Sequence, residues 1–559
     1  MSGAELGLST APFIVLLLQT CLRGYETFTQ ARQIGEGSQT LLWKFRIQQT
    51  RLHMWAKEWG ILDESRQQRQ RPGDPDDYKI ITETLFRISD LIADYKVLQN
   101  RYGLSLVTED PTFVVQRIQG RVEDVIAEEF NAFLQQDQAL RRERSQNSNI
   151  LKKFRWVAAD KGKFETVIKD LTDYNDGLYH LLAAAERRAL RQGLSAELVT
   201  TSNVNELLGL EAAAASTPYE ALSQASALRR HLVMSNSADT SSELRVSGDS
   251  IALCQPPNAT SGLLDRALAR QTVGNEHNLV IVEWKHFDRD AADHIRLSQL
   301  NRLDALARLL HLSCKPEALR VPNCLGYFCD DWHPRVGLLF EYTGSSAPQA
   351  TPPFLSLHDL LLTSKSVPFL GDRFRLALDL SLSLCLLHTS GWLHKGIRSD
   401  NIIFIQGSPL NNDESPPSLR DPLVLGFEYS RQDNPFAETD LVVSALEVHK
   451  LYRHPKSITA SRDRYCRAFD IYSLGIVLLE IGFWRPISEF HTEGQSLDAF
   501  KEDLTNFYVT NLGAKTGKIY MEAVRSCLTG ELADVNTNDT GSQKGFYWEV
   551  VRELARLAV

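Results

Sequence analysis

His394 and Asn401, in the stretch LHKGIRSDNIIFI (residues 393–405), stand at the spacing of a loop written H-R-D-L-x-x-x-N. In that loop the aspartate takes the proton of an attacking hydroxyl and the asparagine holds magnesium. Here the aspartate position is Gly396, which has no carboxylate to accept a proton. Two further stretches carry groups of the same chemistry. Lys285 ends the apolar run LVIVEWK, and Gly426-Phe427-Glu428 lies in VLGFEYSR.

A chain of 559 residues is too long for one hydrophobic core, so two or three domains are expected. With 43% hydrophobic and 23% charged residues the composition is that of a globular protein. The net charge of −9, from 61 basic and 70 acidic residues, gives no general attraction to nucleic acid, and no nucleic-acid partner is expected. The eight cysteines form no C-x-x-C pair, which suggests free thiols in a reducing, cytoplasmic setting and no metal site. The apolar run from Ala11 to Leu18 is far below the ~20 residues of a spanning helix. The only charge before Arg23 is Glu5, so it does not read as a signal peptide. The glycine-containing GEGSQT, residues 35–40, lacks G-K-[ST] and follows a helix-like stretch, so it is not taken as a phosphate loop.

Residues 1 to about 220 read almost entirely as amphipathic helices. Apolar residues recur at helical spacing in FRISDLIADYKVLQNRY and in VEDVIAEEFNAFLQ, with Pro72 and Pro75 in a polar loop before them. From Gly193 to about Ser250 the chain is rich in Ala, Ser and Thr and reads as a linker, with one short helix near Pro218–Leu232. Beyond 250, strand-like runs (LVIVEWKHF, VGLLFEYTG, NIIFIQG) precede long helices (FRLALDLSLSLCLLHTSG, DIYSLGIVLLEIGFW), the order of an α+β domain.

In that order, residues 279–490 resemble the protein kinase fold motif by motif. VIVEWK looks like V-A-I-K, with Lys285 at the phosphate-pairing position, and LLFEYTG looks like the strand entering the hinge, with Glu341 and Tyr342 near the adenine edge. SLHDLL, the long helix before His394, VLGFEYSR at D-F-G, LYRHPKS at A-P-E and DIYSLGIVLLEI at the central helix follow in sequence. The resemblance implies a bilobal domain in which Asp470 bonds the loop backbone and His394 packs on Phe427. It also implies ATP and magnesium, for which Lys285 and Asn401 are the candidate residues. The departures are Gly396 for the base, Gly426 for the magnesium-binding aspartate, Arg398 for a lysine, Lys456 for the A-P-E glutamate, and no G-x-G-x-x-G before Lys285. No glutamate lies in 286–316 to pair Lys285; Asp304 is the substitute. A catalytically deficient, kinase-like domain is expected, with no catalytic residue and no required cofactor.

The N-terminal half resembles the HeLo domain of fungal prion-controlling, heterokaryon-incompatibility proteins. The likeness is carried by the short apolar first helix, Cys21 with Gly24-Tyr25, Arg51-Leu52 before Trp55, and Trp156, Lys161, Phe164 and Leu171–Asn175 further on. It implies a toxic effector whose first helix, with Phe13, Ile14, Leu16, Leu17 and Leu18, enters a membrane on activation. The residues themselves are equally those of one buried bundle helix. Arg141, Arg142, Arg144, Lys152, Lys153 and Arg155 could attract anionic lipid or simply be a solvated helix end.

The expected organisation is a HeLo-like helical bundle over 5–215, a linker over 216–250 and a kinase-like α+β domain over 251–559. The expected function is regulated cell-death signalling, with the kinase-like domain controlling a bundle that meets protein partners, anionic membrane and other copies of itself when active. An atypical active Ser/Thr kinase using Glu428 or Asp400, and a non-enzymatic scaffold, are the alternatives.

Overall fold

A computed structural model of the chain describes residues 14–26, 39–62, 75–93, 104–108, 154–158, 161–235, 244–254, 266–286, 293–313, 315–330, 332–344, 354–405, 418–427, 429–433, 447–458, 464–530 and 543–558. It divides into two compact units, Met1–Leu194 with Gly209–Ser223, and Ser195–Leu208 with Gln224–Val559.

The first unit is built on helices α1 (residues 14–26), α2 (Gln39–Trp59) and α3 (Pro75–Ala93), strands β1 (Leu104–Thr108) and β2 (Phe154–Ala158), and helix α4 (Lys161–His180). Helices α5 (Ala184–Leu198), α6 (Val204–Ala214) and α7 (Glu220–Ser235) follow, each shared between the two units. Ile14, Leu17, Leu18, Cys21 and Tyr25 recur every three or four residues on α1 and are all buried. The Cys21 thiol donates to the Leu85 carbonyl at 3.2 Å, and a Cβ on Gly24 would lie 2.8 Å from Ile92, so only glycine lets α1 approach α3 this closely. Tyr25 packs on Phe45 with ring centroids 4.9 Å apart. Arg51 of α2, buried, reaches Asp176 of α4 at 2.5 Å and lies over the rings of Tyr179 and Tyr219. The amide of Asn175 donates to the Gln48 carbonyl at 3.0 Å. Arg51, Asn175 and Tyr25 therefore fill the bundle interior.

The first half, expected to be almost entirely helical, is so among the described residues apart from one short strand pair: β1 and β2 pair antiparallel, Leu104 opposite Ala158 and Thr108 opposite Phe154. FRWVA and LSLVT are β-branched and aromatic, and their pairing partner lies some fifty residues away, where a helical period cannot reveal it. In the Ala- and Ser-rich stretch the helix expected near Pro218–Leu232 is α7, and α6 is a further helix where a linker was expected, because alanine has the highest helix propensity and Ala213, Ala214, Ala225 and Ala227 are buried. Asn203 accepts from the Asn205 and Glu206 amides at 2.9 and 3.2 Å and so caps α6. VEDVIAEEFNAFLQ and most of the basic cluster lie outside the described residues.

In the second unit, β3 (Ile251–Leu253), β4 (Arg266–Val273), β5 (Glu276–His286), β6 (Cys324–Cys329) and β7 (Arg335–Glu341) form an antiparallel sheet in the order β3-β4-β5-β7-β6, with helix α8 (Asp293–His311) between β5 and β6 in sequence. Strand alternation separates the faces of β5. Val280, Val282 and Trp284 join Ala269, Phe328 and Leu339 in a hydrophobic core, which leaves Ile281, Glu283 and Lys285 to the other face. Strand β8 (Phe354–Ser356), α9 (Leu357–Thr363) and α10 (Leu370–Ser390) follow. Then come the short strands β9 (Trp392–Leu393), β10 (Ile402–Ile405), β11 (Leu423–Val424) and β12 (Arg431–Gln432), paired β8-β10-β11 and β9-β12. Helices α11 (Arg467–Phe483), α12 (Leu497–Asp503), α13 (Val509–Thr516) and α14 (Lys518–Thr529) complete a helical portion. The second unit also holds Ser195–Leu208. Its Glu197 accepts from Trp548 Nε1 at 2.9 Å and pairs with Lys544 at 2.9 Å.

Candidate functional site

The pairings of β9 with β12 and of β10 with β8 and β11 hold the 394–401 loop against residues 425–427 and Ser430. Helix α11 supplies its anchor. The Asp470 carboxylate, fully buried, accepts from the backbone N–H groups of His394 and Lys395, each at 2.8 Å, from Tyr465 Oη at 2.8 Å and from His388 Nε2 at 3.1 Å. Burial pushes its pKa up, but the His388 hydrogen bond and charge outweigh this and hold it below the usual carboxylate value. With its backbone so held, Lys395 adopts a left-handed φ of 63°.

The His394 ring packs on Phe427, with centroids 4.5 Å apart, and its Nδ1 accepts from the Gly396 N–H at 3.2 Å. Burial drives the His394 pKa down to about 4, so the ring is neutral at physiological pH. His394 and Phe427 also line a cavity of about 10 Å³ walled by Leu380, Leu384, Leu387 and Ile402, room for about one water molecule at most.

Asn401, Gly396 and Gly426 meet at one point. Asn401 Nδ2 donates to the Gly396 carbonyl at 2.6 Å. A Cβ on Gly426, where φ is +90°, would fall 2.0 Å from Asn401 Nδ2, and one on Gly396 would fall 2.5 Å from the Gly426 carbonyl oxygen. The glycines thus do more than lack carboxylates: their hydrogens are the surfaces on which the loops touch.

Two residues absent from the sequence expectations complete the cluster. Glu283, buried on β5, accepts the N–H groups of Gly426 and Phe427, each at 2.7 Å. Arg266 of β4 donates through Nε to Glu283 at 3.2 Å, through Nη1 to the Asp400 carbonyl at 2.9 Å, and through Nη2 to Asn401 Oδ1. Lys285 is buried on the same strand face as Glu283, but Glu283 is the β5 side chain that takes both amides. A lone carboxylate inside LVIVEW is a signal of a buried polar contact, whereas nothing in the sequence around Arg266 marks it.

Of the remaining candidates, Asp400 lies 3.6 Å from His449 and 3.9 Å from Arg398. Burial raises its pKa, but the His449 hydrogen bond and nearby cations leave it below the usual value. Asp304 accepts from Arg308 at 2.7 Å and from Tyr327 at 3.3 Å. Glu428 and Phe13 lie outside the described residues, and Leu16 is half-buried on α1. Among the described residues no group of three His, Cys, Asp or Glu side chains could hold a metal ion.

Beneath the loop, Glu480 of α11 accepts from Tyr452 Oη at 2.7 Å and from the Ile487 N–H at 2.8 Å, fully buried. Burial raises its pKa from 4.5 to about 8, so the fold favours the neutral acid. This stabilisation is fully present below pH 4.5 and is lost as pH rises towards 8. The lowered pKa of His394 acts oppositely: its contribution is present above 6.5 and is lost as pH falls towards 4. Between pH 6.5 and 8 only Glu480 of this pair changes, and the chain should lose about 2 kcal/mol there. Glu480→Gln, which keeps an acceptor for Tyr452, should remove that slope. Urea unfolding of both proteins at pH 6.5 and 8 measures it, and parallel slopes would refute the assignment.

With this geometry described, comparison with known families gives two matches. Residues 6–210 match the HeLo family, described as prion-inhibition and propagation. Residues 309–558 match a domain of unknown function, DUF7580. No curated protein matches the chain. The N-terminal helical region is thus similar to the HeLo family over residues 6–210. The C-terminal region is helices with small antiparallel sheets, and its match carries no named activity.

Proposed function

We propose that this protein is a cell-death effector whose HeLo domain acts on membranes and whose C-terminal domain is a kinase-like regulator without phosphoryl transfer. The observation that carries the effector reading is α1: an apolar helix inside a HeLo match, with Ile14, Leu17 and Leu18 buried. Among the described residues no helix is long and apolar enough to cross a membrane. A released α1 would turn its apolar face to lipid. In the resting state α1 stays packed, and activation exposes it, recruits the protein from the cytoplasm to anionic lipid and assembles copies of it.

Several features support the kinase-like reading of the second unit. The sheet runs β3-β4-β5-β7-β6 with a helix after its third strand, a buried helix leads into the 394–401 loop, and Asp470 ties that loop to α11. Catalysis is excluded from the proposal because Gly396 and Gly426 supply neither base nor metal ligand and Asp400 is already engaged.

Dye leakage from anionic liposomes tests the effector reading. Residues 1–235 should release dye, the full chain at rest should not, and Leu16→Glu in the fragment should abolish release. Leu16 is only half-buried, so a charge there burdens membrane entry more than folding. Should neither protein bind or permeabilise lipid, the scaffold alternative replaces this one.

A further inference from the structure

ATP and magnesium are the groups that a kinase-like loop implies, and the residues of this cluster do not fit the magnesium. A magnesium site needs free carboxylate or amide oxygens arranged around a vacancy. The single amide oxygen of Asn401 is already engaged by the Arg266 guanidinium, and its Nδ2 donates to Gly396. The carboxylate that does reach the cluster, Glu283, is occupied by Arg266 and by two backbone N–H groups. A guanidinium already stands against Asn401, where a bound cation would be repelled. The close approach of Gly396 to Gly426 leaves no space for the missing aspartates.

Resting on the kinase-like reading above, we propose that Arg266 and Glu283 are an internal latch that takes the place of nucleotide. One guanidinium, bonded to a strand carboxylate, a loop carbonyl and the Asn401 amide, ties the five-stranded sheet to residues 400–401. Glu283 ties the same sheet to residues 426–427. The planar fork of arginine suits this role because it satisfies three acceptors from one side chain, which an ammonium on a flexible stem does less well. The domain then holds its closed arrangement with no nucleotide present, and whatever signal it receives arrives by another route.

Thermal unfolding of the full chain with and without millimolar MgATP, beside Arg266→Ala and Arg266→Lys, tests the latch. The wild-type midpoint should move by less than about 1 °C with MgATP, since a ligand stabilises only what it binds. Arg266→Ala should unfold about 5–10 °C lower, from a broken buried ion pair, and Arg266→Lys should fall between. A rise of about 3 °C or more in wild type, reversed by EDTA, would overturn the proposal while strengthening the kinase-like reading. An Arg266→Ala midpoint equal to wild type would overturn it too. If Arg266→Ala does not fold, Glu283→Gln replaces it, read by hydrogen exchange at the Gly426 and Phe427 amides. Exchange faster by about tenfold or more is expected, and unchanged protection would sink the latch. Stabilisation by MgATP would sink the latch and keep the kinase-like reading, so the two fail on different results.

Discussion

Gly426→Asp is expected to destabilise the chain by about 3–5 kcal/mol and to bring no phosphoryl transfer with it. The substitution restores the letter that a magnesium-binding segment would carry, yet the structure has closed over that position. At φ +90° an L-residue is strained, and its Cβ would sit 2.0 Å from the Asn401 amide. Asn401 cannot move aside cheaply, because Gly396 and Arg266 hold both ends of its side chain. The new carboxylate would also be buried close to Glu283, a like charge. Urea unfolding, with transfer of labelled phosphate from MgATP scored in parallel, measures both halves for Gly426→Asp and for its combination with Gly396→Asp. Stability within about 1 kcal/mol of wild type, or labelled product, would contradict the account.

Asp470→Ala should cost about 4 kcal/mol, the second large effect. Its carboxylate serves four donors in a site with no solvent access, so truncation strands the His394 and Lys395 amides, Tyr465 Oη and His388 together. It also frees Lys395 from the interaction that holds its left-handed backbone. Asp470→Asn keeps the shape but turns one oxygen into a donor that must face either His394 N and His388 or Lys395 N and Tyr465. Roughly half the loss is expected. Equilibrium unfolding ranks the three proteins, and a loss under about 1 kcal/mol for alanine would mean that the loop holds its shape without α11.

Much of the fold was legible where the pattern is local. The apolar stripe of α1, the long helices α10 and α11 and the strand runs of the sheet follow from periodicity and length. Of the residues that carried the HeLo resemblance, Tyr25, Leu52, Trp55 and Asn175 prove to be core residues, and Arg51 is buried among the aromatic rings of Tyr179 and Tyr219. The β1–β2 pair was not legible, since its two strands are brought together from far apart in sequence. Helix α6 was not legible in the alanine-rich stretch, because composition alone does not distinguish a flexible linker from helices that bury small side chains.

The sequence by itself determined that glycines stand at 396 and 426, where the proposed kinase-like reading would need a base and a metal ligand, and the order of helical and strand-like runs marked a helical half followed by a mixed one. Only the tertiary structure decided what stands in place of that chemistry. Arg266 and Asn401 are 135 positions apart in the chain, and no local period or propensity links them. Strand alternation sends Glu283 to the face of β5 opposite its hydrophobic core, and folding brings that face to the loop backbone, where a buried carboxylate must find donors. The guanidinium and the two amides are the donors the fold provides.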